Sequence, residues 1–172
     1  MINVIASIAD AQKLASTGRV VARSEPISSF PRLVGLVSEA EGTVHFELTF
    51  EPDGMGRPSV QVRIEARVPL LCQRSLETFL YPISSVSHLG FITDEAEEAS
   101  LLPGYDPLLL GTELVEFLDI VEDELILAIP QVPVNPLSAK PAQGAWEAKA
   151  PEDKNPFADL SALLKGANSK PH

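Results

Sequence analysis

The stretch TVHFELTFEPDGMGRPSVQVRIEARVP, residues 43–69, carries the clearest structural pattern in the chain. Apolar residues occupy every second position in both of its halves: Val44, Phe46, Leu48 and Phe50, then Val60, Val62, Ile64, Ala66 and Val68. A period of two with one apolar face is typical of a half-buried strand. The intervening PDGMGRP is rich in turn-forming residues. The stretch therefore predicts an antiparallel hairpin.

Shorter elements are predicted around this hairpin. Upstream, residues 10–17 fit a short helix, with Asp10 as N-cap and Gly18 as the stop. The other predicted pieces are a strand at 19–22, a turn or short helical piece bracketed by Pro26 and Pro31, a strand at 78–83, an acidic mobile loop at 90–104 and a strand at 105–110.

The strongest helix signal covers residues 114–129. Its apolar stripe at helical spacing consists of Leu114, Phe117, Leu118, Val121, Leu125, Ala128 and Ile129. Thr112 is the expected N-cap, and Pro130 ends the pattern.

These elements predict an α+β domain over residues 1–135, with an antiparallel sheet of four to six strands that is either open or curled toward a small barrel. Helix 114–129 packs the sheet. The expected core consists of Val44, Phe46, Leu48, Val60, Val62, Ile64, Phe79, Leu118, Val121, Leu125 and Ile129. Residues 136–154 are interrupted by prolines and predict an extended linker. Residues 155–166 then predict a short terminal amphipathic helix, with an apolar stripe at Phe157, Leu160, Leu163 and Leu164.

Charge is unevenly distributed along the 172-residue chain, whose formal net charge is −11. Residues 75–139 contain no Lys or Arg. They contain the acids Glu77, Asp94, Glu95, Glu97, Glu98, Asp106, Glu113, Glu116, Asp119, Glu122, Asp123 and Glu124. An acidic surface repels phosphate backbones and favours basic partners. The alternative is that the uneven distribution of charge only keeps the protein soluble.

Side chains that do chemistry are scarce. The three histidines are His45, His88 and His172, and the single cysteine is Cys72, which has no base beside it in sequence. We therefore expect a protein that is not an enzyme. One cysteine, no secretory signal and no apolar stretch of membrane-spanning length together predict a cytoplasmic protein.

Two blocks, VEDELILAIPQVPV at 121–134 and KNPFADLSALLKG at 154–166, resemble characteristic blocks of the YceD family of bacterial and plastid proteins. The resemblance implies a role in accumulation or processing of 23S ribosomal RNA, the large-subunit RNA, during ribosome biogenesis. Family members often carry a C-x-x-C pair after the hairpin, where this chain has Cys72-Gln73-Arg74-Ser75, and sometimes a further cysteine where it has Asn135-Pro136-Leu137-Ser138. One cysteine and three scattered histidines do not supply a zinc site, so we expect no metal and no cofactor.

Two mechanisms are open at this point, beside a third reading, an enzyme acting on RNA, which the lack of a metal-ligand set and of a histidine–nucleophile pair disfavours. In the first, the chain is an adaptor for a basic ribosomal protein or ribosome assembly factor, and its partner-binding residues are Glu122, Asp123, Glu124, Phe157, Leu160, Leu163 and Leu164. The terminal helix either docks on that partner or folds back on its own domain. In the alternative mechanism, the chain binds rRNA directly through Arg57, Arg63, Arg67 and Arg74.

Overall fold

A computed structural model of the chain describes residues 4–111 and 113–138. The strands are β1 (Val4–Ile5), β2 (Val20–Pro26), β3 (Thr43–Pro52), β4 (Pro58–Leu71), β5 (Thr78–Ile92), β6 (Asp106–Leu109) and β7 (Val115–Glu116). The α-helices are α1 (Ile8–Ser16), α2 (Pro31–Val34) and α3 (Phe117–Ala128), and two 3₁₀ helices span Ile27–Ser29 and Glu95–Ser100.

The predicted hairpin is confirmed as β3 and β4. The strands pair antiparallel from Val44 opposite Ala66 to Pro52 opposite Pro58. The turn between them is held by the carboxylate of Asp53, whose Oδ1 accepts the N–H groups of Met55 and Arg57 at 2.8 Å each. Burial alone raises the pKa of Asp53, but these N–H donors and the Arg57 guanidinium outweigh burial, so the pKa is lowered.

Strand β5 is much longer than the sequence pattern predicts. The expected strand ended at residue 83, whereas β5 spans 15 residues, Thr78–Ile92, and pairs antiparallel with β4 from Thr78 to Gly90. The serines at 84, 85 and 87 hide the strand pattern, because serine is more frequent in turns than in strands. Pairing with the equally long β4 overrides that local preference. The expected mobile loop at 90–104 is also wrong, since it holds the end of β5 and a 3₁₀ helix at Glu95–Ser100.

The sheet is open and mostly antiparallel. Its strand order is β2-β3-β4-β5-β6, and β6 runs parallel to β5 over Leu89–Ile92. The alternative of a barrel is therefore wrong, because the edge strands β2 and β6 do not meet. A separate two-stranded sheet joins β1 to β7, with Val4 opposite Glu116 and Ile5 opposite Val115.

Helices α1 and α3 pack on one face of this sheet, and Phe50 is fully buried on that face. The Phe50 ring lies 5.2 Å from the ring of Phe117 on α3 and 6.4 Å from the ring of Phe91 on β5. Most of the predicted core is buried, and only Phe79, Leu118 and Ile129 are half-buried. The other face of the sheet is largely polar and open to solvent.

The helix ends differ from the expected ones in detail. Ser7, not Asp10, is the N-cap of α1, and its hydroxyl oxygen accepts the N–H of Asp10. Helix α3 starts at Phe117 because the preceding two residues are taken into β7. Its N-cap is Glu116, whose N–H donates to the Asp119 carboxylate at 3.1 Å. The expected cap Thr112 lies outside the described residues.

The predicted linker lies outside the described residues from position 139 onward, as does the whole terminal helix 155–166. Phe157, Leu160, Leu163 and Leu164 therefore remain sequence-based predictions. Within the described ranges, no helix is both long enough and apolar enough to cross a membrane.

Candidate partner-binding surface

Glu122, expected on the solvated side of α3, is buried instead. Its side chain is 5% exposed and points at the start of α2. One carboxylate oxygen accepts the backbone N–H groups of Arg32 at 2.6 Å and Leu33 at 3.2 Å, and the other accepts Nε of Arg32 at 2.8 Å. The expected solvent exposure of Glu122 is therefore wrong for a physical reason: its oxygens already satisfy the unpaired donors at a helix start. Its assignment to partner binding stays a sequence-based prediction.

The acidity of Glu122 reflects this environment. Burial by itself raises the pKa of the carboxyl group. The hydrogen bonds from the Arg32 side chain and from the N–H groups of Leu33 and Arg32 act in the opposite direction and prevail, so its pKa is lowered. Glu122 is charged at neutral pH and acts as a clasp between α2 and α3.

The two neighbouring acids are more accessible than Glu122. Asp123 is 54% exposed, and its carboxylate accepts Nη1 of Arg32 at 2.6 Å. Glu124 is half-buried and accepts a hydrogen bond from the Ser87 hydroxyl on β5. Asp123 and Glu124 can still be reached by a partner, although each already has an intramolecular contact.

The larger exposed acidic surface lies elsewhere. Of the twelve acids between residues 75 and 139, all except Glu122 and Glu124 are exposed. Glu97 accepts the N–H of Thr93 at 2.8 Å, which fixes the start of the 3₁₀ helix Glu95–Ser100. The side-chain carboxylates of Glu95 and Glu98 on the same helix have no hydrogen-bond or ion-pair partner among the described residues, so their charges face solvent.

The four arginines of the alternative RNA-binding mechanism do not form one cluster. Arg57 lies in the β3–β4 turn, where its guanidinium pairs with Asp53 at 3.0 Å and donates to Ser100 at 2.9 Å. Arg74 lies in the turn at the opposite end of the 14-residue strand β4. Both guanidinium groups already make intramolecular hydrogen bonds that stabilise these turns.

Arg63 and Arg67 do share the open face of the sheet, as predicted from the alternation. Both are exposed, but Glu65 lies between them on the same strand face. Glu47 is the residue directly opposite Arg63 on β3. This face therefore carries mixed charge, which is a weak attraction for phosphates.

A second cluster joins the β4–β5 turn to residues 133–138, the two segments where the resemblance to YceD marks cysteine positions. The buried sulfur of Cys72 accepts the N–H groups of Ser75 at 3.4 Å and Asn135 at 3.3 Å. Arg74 binds the hydroxyl and the carbonyl of Ser138, at 2.8 Å each. One thiol, two hydroxyls and a guanidinium thus meet at this point.

These groups lower the pKa of Cys72 to about 6. The nearby Ser75 hydroxyl has the largest effect, burial opposes it, and the N–H groups of Asn135, Ser75 and Arg74 lower the pKa further. The Ser75 oxygen is itself buried without a well-aligned partner in the described structure. Within the described residues no group of three or more His, Cys, Asp or Glu is placed to hold a metal ion.

Sequence reasoning missed Arg32 as the partner of the acids on α3. Pro31 is a usable signal for a helix start, and a helix start needs acceptors for its first N–H groups. The acceptor lies 90 residues away along the chain, so no local pattern could have identified it.

Replacing Glu122 will test the clasp. We expect Glu122→Ala to lower the free energy of unfolding by about 2–4 kcal/mol, since it leaves buried N–H donors unpaired. The control Asp123→Ala removes an exposed contact to the same arginine and should cost no more than about 1 kcal/mol. Urea unfolding followed by circular dichroism measures both. Equal losses in the two variants would contradict the clasp.

The pH dependence of stability follows from the lowered pKa values of Glu122 and Asp53. A group whose pKa is lower in the folded state stabilises the fold above its unfolded pKa and loses that effect as pH falls through the folded pKa. The free energy of unfolding should therefore drop as pH decreases below about 4.5, the ordinary value for Glu. Glu122→Gln should show a shallower drop in the same urea titrations. A slope identical to the parent protein would exclude Glu122 as a contributor.

The burial of Cys72 predicts slow chemistry despite its low pKa, since reagents reach it only when the turn opens. We expect alkylation by iodoacetamide to be about 100-fold slower in the folded protein than in guanidinium chloride, for a local opening of roughly 3 kcal/mol. Mass spectrometry at timed quench points measures the rates. Ser138→Ala, which removes one contact of the cluster, should speed labelling, and unchanged slow labelling would show that the cluster does not close the site.

Comparison with known proteins identifies a family but no individual relative. No curated protein and no solved structure is significantly similar to the chain. The family model described as "Large ribosomal RNA subunit accumulation protein YceD" matches residues 60–164. The match begins on β4, includes all of β5 and α3, and covers more than half of the 172 residues. The chain therefore belongs to the YceD family.

Proposed function

We propose that the protein is a non-catalytic, cytoplasmic factor for accumulation of large-subunit ribosomal RNA, and that it works as an adaptor holding a basic protein partner. The family description supports the first half of the proposal, because it names large ribosomal RNA subunit accumulation. The second half rests on the charge and geometry of this chain.

The exposed acidic surface is the observation that carries the adaptor role. Ten acids are exposed in a span of the sequence that lacks any Lys or Arg. Arg32 comes from another part of the chain, but within the described ranges its ion pairs are with Glu122 and Asp123 alone. A negative surface of this kind speeds the encounter with a basic protein and makes binding salt-sensitive.

The acids of the 3₁₀ helix are the best candidates for first contact. Glu95 and Glu98 are exposed, and neither is paired with a cation of the described residues. Asp123 and Glu124 on α3 are further candidate contacts. Glu122 is left out of the proposed surface, because its carboxylate already pairs with Arg32 and accepts a backbone N–H at the start of α2.

Direct RNA binding is less well supported. Arg57 and Arg74 are engaged at opposite ends of β4, and the remaining Arg63 and Arg67 alternate with Glu65. Few phosphates can be neutralised by this set, and affinity for nucleic acid depends on that number.

A test in cells uses charge reversal. In cells that depend on the variant protein, we expect Glu95→Lys with Glu98→Lys to lower the ratio of 23S to 16S RNA, because the partner is held less well. The matched control reverses Glu39 and Glu41, which are exposed in the half of the chain that also carries arginines. RNA electrophoresis measures the ratio.

Affinity purification of the same variants at low and high salt supplies the second readout. A basic protein that is retained by the parent and by the control, but lost by the Glu95/Glu98 variant and at high salt, agrees with the proposal. Equal retention by all three proteins would contradict the acidic surface. A mobility shift of large-subunit RNA at ~150 mM salt by the protein alone would favour the RNA-binding alternative.

A further inference from the structure

The outer edge of β5 is unpaired over most of its length. On one side β5 pairs with β4 along residues 78–90. On the other side β6 covers only Leu89–Ile92. Residues 78–87, which we call the open edge, have no strand beside them within the described structure and extend for about 30 Å.

The hydrogen bonds between β4 and β5 determine which backbone groups the open edge presents. The N–H of Cys72 donates to the carbonyl of Glu77 at 2.9 Å, and the register continues without a bulge to Ser59 opposite Gly90. Odd-numbered residues of β5 are therefore bonded to β4. Consistently, the carbonyl of Ile92 points the other way and accepts the N–H of Leu110 at 2.8 Å.

The backbone N–H and carbonyl groups of the even-numbered residues consequently point away from β4, toward the open edge. Thr78, Leu80, Ser84 and Val86 each offer an N–H and a carbonyl, and Pro82 offers a carbonyl alone. Such a row of backbone groups is a template for an added strand.

The open edge also lacks the usual protection against pairing. Its sequence, TFLYPISSVS, contains no charged residue, although the chain as a whole is strongly acidic. Edge strands are commonly blocked by lysine, by inward-pointing charge or by a bulge. Here Pro82 is the one blocking residue, and it removes a single N–H. Leu80 and Val86 are 61% and 52% exposed beside it.

Charge near the open edge indicates what kind of strand it accepts. Glu77 is exposed directly before β5, Asp106 is exposed on β6 opposite Leu89, and Glu124 is bonded to Ser87. On the opposite face of the sheet, Arg63 and Arg67 lie across from Val86 and Pro82. An added strand thus meets acids at both ends and on the α3 side, and on the other side it meets apolar groups beside the alternating charges of Arg63, Glu65 and Arg67.

We propose that the open edge binds an extended basic segment of the protein partner as a sixth strand, with Lys or Arg toward the α3 side and apolar side chains beside Leu80 and Val86. This inference rests on the proposed adaptor function and specifies how the partner is held. Backbone hydrogen bonds supply the affinity, and alternate side chains supply the selectivity. A second copy of the chain fits less well, because two proteins of charge −11 repel each other.

Amide hydrogen exchange followed by NMR tests the proposal residue by residue on the full chain. The probe is the ten-residue peptide Lys-Val-Lys-Thr-Lys-Val-Lys-Thr-Lys-Val with blocked ends, and the control probe has Glu at each Lys. In the free protein, the amides of Leu80, Ser84 and Val86 should exchange quickly, and those of Tyr81, Ile83 and Ser85 slowly. The Lys peptide should slow the even-numbered set at least about tenfold, and the Glu peptide should not.

A variant pair supports the same readout. Val86→Pro removes an outward N–H without removing a bond to β4, whereas Val86→Thr keeps it. We expect the proline variant to lose at least about tenfold in affinity for the Lys peptide, a loss of roughly one good hydrogen bond, with slow exchange retained at the odd-numbered amides. The threonine variant should bind like the parent. If the proline variant does not fold, the exchange pattern of the parent protein decides alone.

Three results would overturn the proposal. The first is binding of the Lys peptide without protection of Leu80, Ser84 and Val86. The second is protection of these amides in the free protein at low concentration, which would mean that the edge is already covered. The third is protection that grows with protein concentration alone, which would assign the edge to a second copy. None of these results changes the expected RNA ratio in cells, so failure here is distinguishable from failure of the adaptor function.

Discussion

Three long strands turn one apolar face toward the interior, and the positions of the helices follow from that asymmetry. The alternation in β3 and β4 places every second side chain on one side of the sheet, and that side has to be covered. Helices α1 and α3 cover it, with Phe50 in contact with both β5 and α3. The opposite face needs no cover because its side chains are mostly polar. The fold is thus a sheet with one face buried beneath helices and the other face exposed to solvent.

The clasp at Glu122 shows how a charged residue serves packing. Helix α2 has only four residues, Pro31–Val34, and cannot be stable alone. A carboxylate from α3 accepts its first N–H groups and pairs with its arginine. Helix α3 therefore contributes apolar residues to the core and also an acid that stabilises α2. Part of the negative charge on α3 therefore stabilises the fold. The exposed acids of the 3₁₀ helix contribute less to the fold and are more readily available to a partner.

Local periodicity was sufficient to predict some parts of this structure and insufficient for others. The hairpin and α3 repeat apolar residues at regular spacing, and both were predicted within a few residues. The second half of β5 was not, because Ser84, Ser85 and Ser87 have the composition of a turn and become a strand only beside β4. The role of Glu122 was also missed, since its partner Arg32 is distant in sequence. Chain composition predicted an acidic surface, but only the three-dimensional arrangement separates the acids that hold the fold from those that face solvent.

The pairing of β1 with β7 has a consequence for how the protein is made. Ile5 is fully buried, yet its strand partner Val115 follows 110 residues later. At roughly 5–20 residues per second, a ribosome needs about 5–20 s to synthesise the intervening chain. During that interval β1 has no strand to pair with, and the part of the sheet that α3 covers is still exposed. Strand β1 is thus synthesised well before β7, and it can complete its pairing only after β7 has followed.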